Sequence, residues 1–276
     1  MAYQETRLEG CGLHVRDTGG DGHPVVLIHG WPLSGAAWDA QLETLGSAGY
    51  RAIAYDRRGF GQSRKPEAGY DYDVLADDLA ALIDEMNLDG VSLVGFSMGG
   101  GEAARYPARH GESRLRAVVF AAAVPPCLMK SGDNPDGPLP LEAFQQMREG
   151  VSSDPSGFYE QFSADFFSVD GELQTSEAER QKALQLCAQA KHFAVVETMD
   201  AWAHTDFRND LDTISRPVLV IHGDSDAIVP FEGSGKRTAE RIEGAQTHVI
   251  KGGPHGINTT HADEFNQVLI DFLNQL

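Results

Sequence analysis

The sequence predicts an α/β protein with a mostly parallel sheet, helices on both faces and a helical cap inserted late in the chain. Three observations carry this reading. Short apolar runs alternate with amphipathic stretches up to residue 124, the pattern of parallel strands joined by crossover helices. The alternation breaks at Pro125-Pro126 and gives way to mainly helical, aromatic-rich sequence over residues 125–215. Two further apolar runs then follow. The expected division is a core of residues 1–124 and 216–276 with a cap of residues 125–215. A length of 276 residues suits one large domain carrying an insertion, and 41% hydrophobic residues suffice for a sizeable core.

Thr6-Arg7-Leu8 and Leu13-His14-Val15-Arg16 alternate as strands do, with Gly10 and Gly12 between them, and predict an antiparallel hairpin at a sheet edge. Residues 24–28, PVVLI, form a continuous apolar run, as a strand buried on both faces requires. A helix is expected over residues 35–48, with Trp38, Leu42 and Leu45 on one face. The next strand covers 50–55. In the helix expected over 74–88, Leu75, Leu79, Leu82 and Met86 recur every three or four residues. A strand from Val91, a helix beginning in GEAARYPARH and a strand over 115–123 continue the series. In the cap, turn-rich joints such as SGDNPDGPLP separate helices that carry Phe144, Phe158, Tyr159, Phe162, Phe166, Phe167, Phe193, Trp202 and Phe207. The sheet resumes at 217–221 and 247–250, with helices expected near 236–242 and over 261–273.

Composition narrows the function classes. With 41 acidic against 22 basic residues, the net charge is −19, which argues against nucleic acid or an anionic membrane surface as partner. Cys11, Cys127 and Cys187 are an odd count without metal or redox spacing, and read as small buried side chains in a reducing compartment. MAYQETRLEG has neither a basic flank nor an apolar core, and no apolar run is long enough to span a bilayer. A soluble cytoplasmic protein is expected.

The chemistry centres on residues 91–101, VSLVGFSMGGG. A serine with glycine two positions away on each side, set between a strand and a helix, has the pattern of a nucleophile elbow. Its turn is sharp enough to strain the serine and to demand small neighbours. Ser97 would need a base to take its proton and a carboxylate to orient that base. In an open parallel sheet such groups gather at the carboxyl ends of strands. Two loops there qualify, HGDSD after Ile221 and KGGPHG after Ile250. Of the ten histidines, His255 alone joins a glycine-rich loop to a position after the final strand. His29 and His222 also end strands, but each is followed directly by glycine, and both read as loop braces. Asp226 and Asp224 compete for the acid; spacing favours Asp226, with Asp224 supporting the turn. An oxyanion would need two backbone donors, Met98 directly after the serine and Trp31 in the loop after the 24–28 strand.

With these residues placed, the chain resembles the α/β-hydrolase superfamily along nearly its whole length, and within it the bacterial arylesterases grouped with the cofactor-free haloperoxidases, or perhydrolases. The resemblance lies in HGWP (29–32), YDRRGFGQS (55–63), LVGFSMGGGEAARY, TDFRNDL, VLVIHGDSDAIVPFE and GGPHGINTTHADEFN. It implies an eight-stranded α/β-hydrolase fold and hydrolysis of small and aryl esters through an acyl-enzyme. It also implies a perhydrolase reaction in which hydrogen peroxide replaces water, and no metal or other cofactor. A small ester or carboxylic acid is the implied partner. The acyl pocket is implied at Trp31, Met98, Val124, Leu128, Phe162 and Phe166, and at Trp202, Ile228, Val229 and Phe231. Pro32 follows the oxyanion tryptophan, as in perhydrolytic members, and is implied to tune the use of peroxide. Relatives are often oligomeric, so a homo-oligomer is among the states the resemblance allows.

Other readings fit less well. A haloalkane dehalogenase shares the fold but needs a carboxylate where Ser97 stands. A metal or haem peroxidase lacks ligand spacing in this sequence. The sequence also accommodates a lactone or lactam hydrolase on the same residues, or a ligand-binding receptor on the same scaffold.

Overall fold

Strand pairing sets the frame of the molecule, a computed structural model of which describes residues 3–276. The strands in chain order are β1 (Gln4–Leu8), β2 (Leu13–Asp17), β3 (Pro24–Ile28), β4 (Arg51–Tyr55), β5 (Val91–Phe96) and β6 (Leu115–Ala121). There follow a two-residue pair, β7 (Ser168–Val169) and β8 (Glu172–Leu173), then β9 (Val218–Gly223) and β10 (Gln246–Ile250). Eight of them make one sheet in the order β1-β2-β4-β3-β5-β6-β9-β10. The β1–β2 hairpin is antiparallel and joins β4 antiparallel, while every pairing from β4 across to β10 is parallel. The predicted fold class holds.

Alternation along each strand divides the core. Val26, Ile28, Leu93, Val118 and Phe120 face one side, where α2 (Tyr72–Glu85) and α3 (Gly99–His110) supply Leu75, Leu79 and Ala103. Val25, Leu27, Val94, Val119 and Ala121 face the other, against Leu42 and Leu45 of α1 (Asp39–Ser47) and Phe265, Leu269 and Phe272 of α11 (Ala262–Leu273). Between β6 and β9 lie α4 (Leu141–Ser153), α5 (Pro155–Phe167), α6 (Glu177–Cys187), α7 (His192–His204) and α8 (Arg208–Leu211), all within the stretch read as an insertion. The remaining helices are α9 (Gly235–Arg241) and α10 (Ile257–Thr260).

Of the boundaries that differ from expectation, two have clear local reasons. The helix expected over 35–48 splits into a 3₁₀ turn, Gly35–Trp38, and α1. The Gly35 N–H is held outside the helix by the Asp56 carboxylate at 2.8 Å. Helix α2 starts two residues early, because Asp71 caps it by accepting from the Val74 N–H at 3.0 Å. All three cysteines are free and buried. Among the described residues, no helix is long and apolar enough to cross a membrane.

Candidate active site

The chain reverses its direction across the sheet at β3, whose neighbours are β4 and β5. Ligands of open α/β sheets sit at such a switch point, beyond the carboxyl ends of the strands. Ser97 directly follows β5 there, with φ +52°, a left-handed conformation that costs a non-glycine residue about 1–2 kcal/mol. Main-chain bonds hold it in place: its N–H donates to the Ala121 carbonyl at 2.9 Å, and its carbonyl accepts from Gly100 and Val124. The flanking glycines are required by close approach. A Cβ on Gly95 would lie 2.5 Å from the Gly99 carbonyl oxygen, and one on Gly99 would strike the Ile28 carbonyl.

Loops after β9 and β10 bring the other predicted groups to this serine. The Ser97 hydroxyl donates to His255 Nε2 at 2.9 Å, and His255 Nδ1 donates to Asp226 Oδ2 at 2.7 Å. The second carboxylate oxygen, Oδ1, accepts from the N–H groups of Ile228 (3.0 Å) and Val229 (2.8 Å). Burial alone would raise the Asp226 carboxyl. The facing His255 and the hydrogen bonds from His222 and His255 outweigh that and hold it well below the usual carboxylate range. Asp224, the competing acid, instead accepts from the Gly252 N–H at 2.7 Å and braces the two loops against each other. All three groups are buried. Such a chain can draw the hydroxyl proton to His255 Nε2 while the carboxylate fixes the ring's tautomer.

Beside Ser97 lies a small chamber of about 60 Å³, walled by Trp31, Met98, Val124, Leu128, Phe162, Trp202, Ile228 and Val229. The Trp31 ring packs edge-on to Phe162 at 5.3 Å and Trp202 at 5.8 Å, and its Nε1–H donates to the Val195 carbonyl at 3.0 Å. A second, outer chamber of about 330 Å³ shares Pro138, Leu139, Met147, Phe162 and Ile228 with the first and continues past Phe158 and Gln161. Among the described residues, neither the Trp31 nor the Met98 N–H has a hydrogen-bond partner, so both donors are free for a ligand.

A family model for the α/β-hydrolase fold matches residues 23–262. The chain is an α/β-hydrolase. A non-heme chloroperoxidase of Kitasatospora aureofaciens is 42% identical over 273 residues, covering 98% of each chain. A bifunctional esterase/perhydrolase of Acinetobacter calcoaceticus is 36% identical over 280 residues, covering 99% of each. The crystal structure of a bromoperoxidase from Bacillus anthracis is 46% identical with a TM-score of 0.94, covering 99% of this chain and 100% of that one. The resemblance seen in the sequence motifs is thereby shown.

Two residues expected in an acyl pocket do not line the chamber beside Ser97 of this hydrolase. Phe231 begins a 3₁₀ turn behind the acid loop, where its ring lies 5.6 Å from that of His222. Phe166, at the end of α5, packs edge-on to His255 at 4.9 Å and lines a separate cavity beside Trp38. It walls the histidine, not the inner chamber. Pro138, Leu139 and Met147 were not foreseen. The first two arrive because the 130–139 segment folds back through a Met129–Leu139 bridge, with the Asn134 amide donating to the Cys127 and Met129 carbonyls. The proline-rich turn was a usable signal for those two; nothing in the sequence marks Met147.

His29 and the Asp56-Arg57-Arg58 segment of this hydrolase brace the loop that follows β3. His29 Nδ1 donates to the Gly30 carbonyl at 2.8 Å, and Nε2 accepts from the Arg57 N–H at 3.0 Å. Arg57 also donates to the His29 carbonyl at 2.7 Å and pairs with buried Glu102. Burial and the nearby Arg57 guanidinium push His29 down to about 3. Burial opposes ionisation of Asp56, but its bonds to His14 and the Gln62 N–H, with Arg16 nearby, bring it to about 2.

Proposed function

We propose that this α/β-hydrolase is a serine esterase for esters of small acids, including aryl esters, and that it also perhydrolyses its acyl-enzyme. The Ser97–His255–Asp226 chain, at 2.9 and 2.7 Å, is the observation that carries this reading. Ser97 Oγ attacks the ester carbonyl as His255 Nε2 takes the hydroxyl proton, and the oxyanion forms against the Trp31 and Met98 N–H groups. His255 returns the proton to the departing alcohol. The small inner chamber fits a short acyl chain, and the larger outer chamber fits the alcohol. This placement lets the alcohol leave by the outer chamber while the acyl group stays on Ser97.

Water then deacylates the enzyme with His255 as base. When hydrogen peroxide attacks instead, its hydroperoxy oxygen bonds to the acyl carbon, its proton passes to His255, and a peracid leaves as Ser97 recovers its hydroxyl. The peracid, a halide and a proton give the carboxylic acid and a hypohalous acid. Similarity to a non-heme chloroperoxidase and to a bifunctional esterase/perhydrolase supports both branches.

The test is an acyl-length series of aryl esters, run with and without peroxide and bromide. Turnover should favour acetate and propionate, generate oxidised bromide only with peroxide present, and vanish in Ser97→Ala. Turnover surviving in Ser97→Ala overturns the proposal. Pro32→Leu should lower the ratio of perhydrolysis to hydrolysis; an unchanged ratio removes Pro32 from the tuning role.

A further inference from the structure

Alternation along β9 sends Val218 and Val220 into the core on the α2–α3 side of the sheet, and His222 shares their parity. A histidine at that depth has no solvent to satisfy it, so its ring must find partners inside. Its Nε2 finds two. The Nε2–H donates to the Val229 carbonyl at 2.7 Å and lies 3.3 Å from Asp226 Oδ2. Because a carbonyl only accepts, the proton sits on Nε2, close beside the carboxylate. Both side chains are wholly buried.

His222 Nδ1 has no hydrogen-bond partner among the described residues. The backbone is shaped around that bare nitrogen: a Cβ on Gly235 would lie 2.5 Å from it. A buried unsatisfied acceptor is costly, and its persistence asks for a return elsewhere in the structure. Here the return is at Nε2. Asp226 is held on one side by the Ile228 and Val229 N–H groups at Oδ1. On the other side, Oδ2 faces two imidazoles, His255 and His222. Val229 in turn is a wall of the inner chamber.

We infer that His222 is a positioning residue. Its Nε2–H fixes the Asp226 carboxylate in the orientation that holds His255, and through the Val229 carbonyl it ties that orientation to the chamber wall. The inference rests on the proposed roles of Ser97, His255 and Asp226. It goes beyond loop bracing, because it requires a donor at the Nε2 position and not merely a ring of the right size.

Three variants separate these roles. In His222→Gln the amide nitrogen replaces Nε2, in His222→Asn it sits near the Nδ1 position, and in His222→Phe the ring remains without a donor. Turnover of an aryl acetate should fall about tenfold in kcat for the Phe and Asn variants, the scale of losing one donor beside a charged group. KM should change little, and the Gln variant should recover most of the turnover. A second readout needs no substrate: the low-field proton NMR resonance of the His255 Nδ1–H should move in the Phe and Asn variants and stay in place in Gln. Equal kcat in the Gln and Asn variants, or an unmoved resonance in Asn, overturns the inference even where the Phe variant fails to fold. Failure of the esterase reading shows separately, as wild-type turnover that Ser97→Ala does not remove.

Discussion

The Arg57 guanidinium grips the Glu102 carboxylate inside the protein, Nε to Oε1 at 2.5 Å, with each side chain 1% exposed. The Tyr55 hydroxyl donates to the other carboxylate oxygen at 2.5 Å. This pair joins the segment after β4 to the first turn of α3, directly behind Ser97. Breaking a buried pair strands a charge. Arg57→Ala should therefore cost about 3–5 kcal/mol in urea unfolding. Adding Glu102→Gln should recover part of that loss. A double variant no more stable than Arg57→Ala would show that the stranded carboxylate is not the cause.

Asp226→Asn should be inactive for a reason of orientation. Two N–H groups already point at Oδ1, so the amide oxygen must take that place and the NH₂ must face His255. His255 Nδ1 then has to accept, which puts the ring proton on Nε2, where it cannot take one from Ser97. A fall in kcat on the order of 10⁴ is expected in steady-state ester hydrolysis. Near-normal turnover would mean that the loop can turn the amide over.

Acid should destabilise the fold through His29 before the carboxylates matter. His29 lies at about 3 when folded and at 6.5 when free, so below pH 6.5 the unfolded chain binds a proton the folded one does not. Stability falls as pH drops from about 6.5 towards 3, by up to about 1.4 kcal/mol per pH unit. Asp56, at about 2 against 3.8, extends the loss through that lower range. Glu102, which burial pushes up, acts in the opposite sense near the ordinary carboxylate range. Urea unfolding between pH 7 and 4 checks this. His29→Gln keeps an acceptor for the Arg57 N–H without titrating and should flatten the slope; an unchanged slope would acquit His29.

Enlarging the inner chamber should lengthen the preferred acyl chain. Trp202 lines that chamber, packs 5.8 Å from Trp31, and buries an Nε1–H with no partner among the described residues. Trp202→Leu should raise kcat/KM for butyrate and longer esters relative to acetate. The gain should be about fourfold for each methylene newly accommodated. An unaltered chain-length profile would place the acyl group outside this chamber.

The sequence by itself determined the sheet, the elbow and the loops on which Asp226 and His255 lie. These depend on short-range properties: continuous apolar runs, helical periodicity, and glycines where the backbone crosses itself. Only the tertiary structure decided which aspartate faces His255, since Asp224 and Asp226 are two residues apart and the turn alone aims one inward. It also decided the pocket. Phe231 and Phe166 are as apolar as Phe162, yet one packs on His222 and the other on His255, while Leu139 and Met147 reach the chamber. Side chains of the cap acquire their neighbours only when its helices dock over the sheet edge. The two contacts of His222 Nε2, with groups four and seven residues away, likewise exist only once the loop after β9 folds back over the end of that strand.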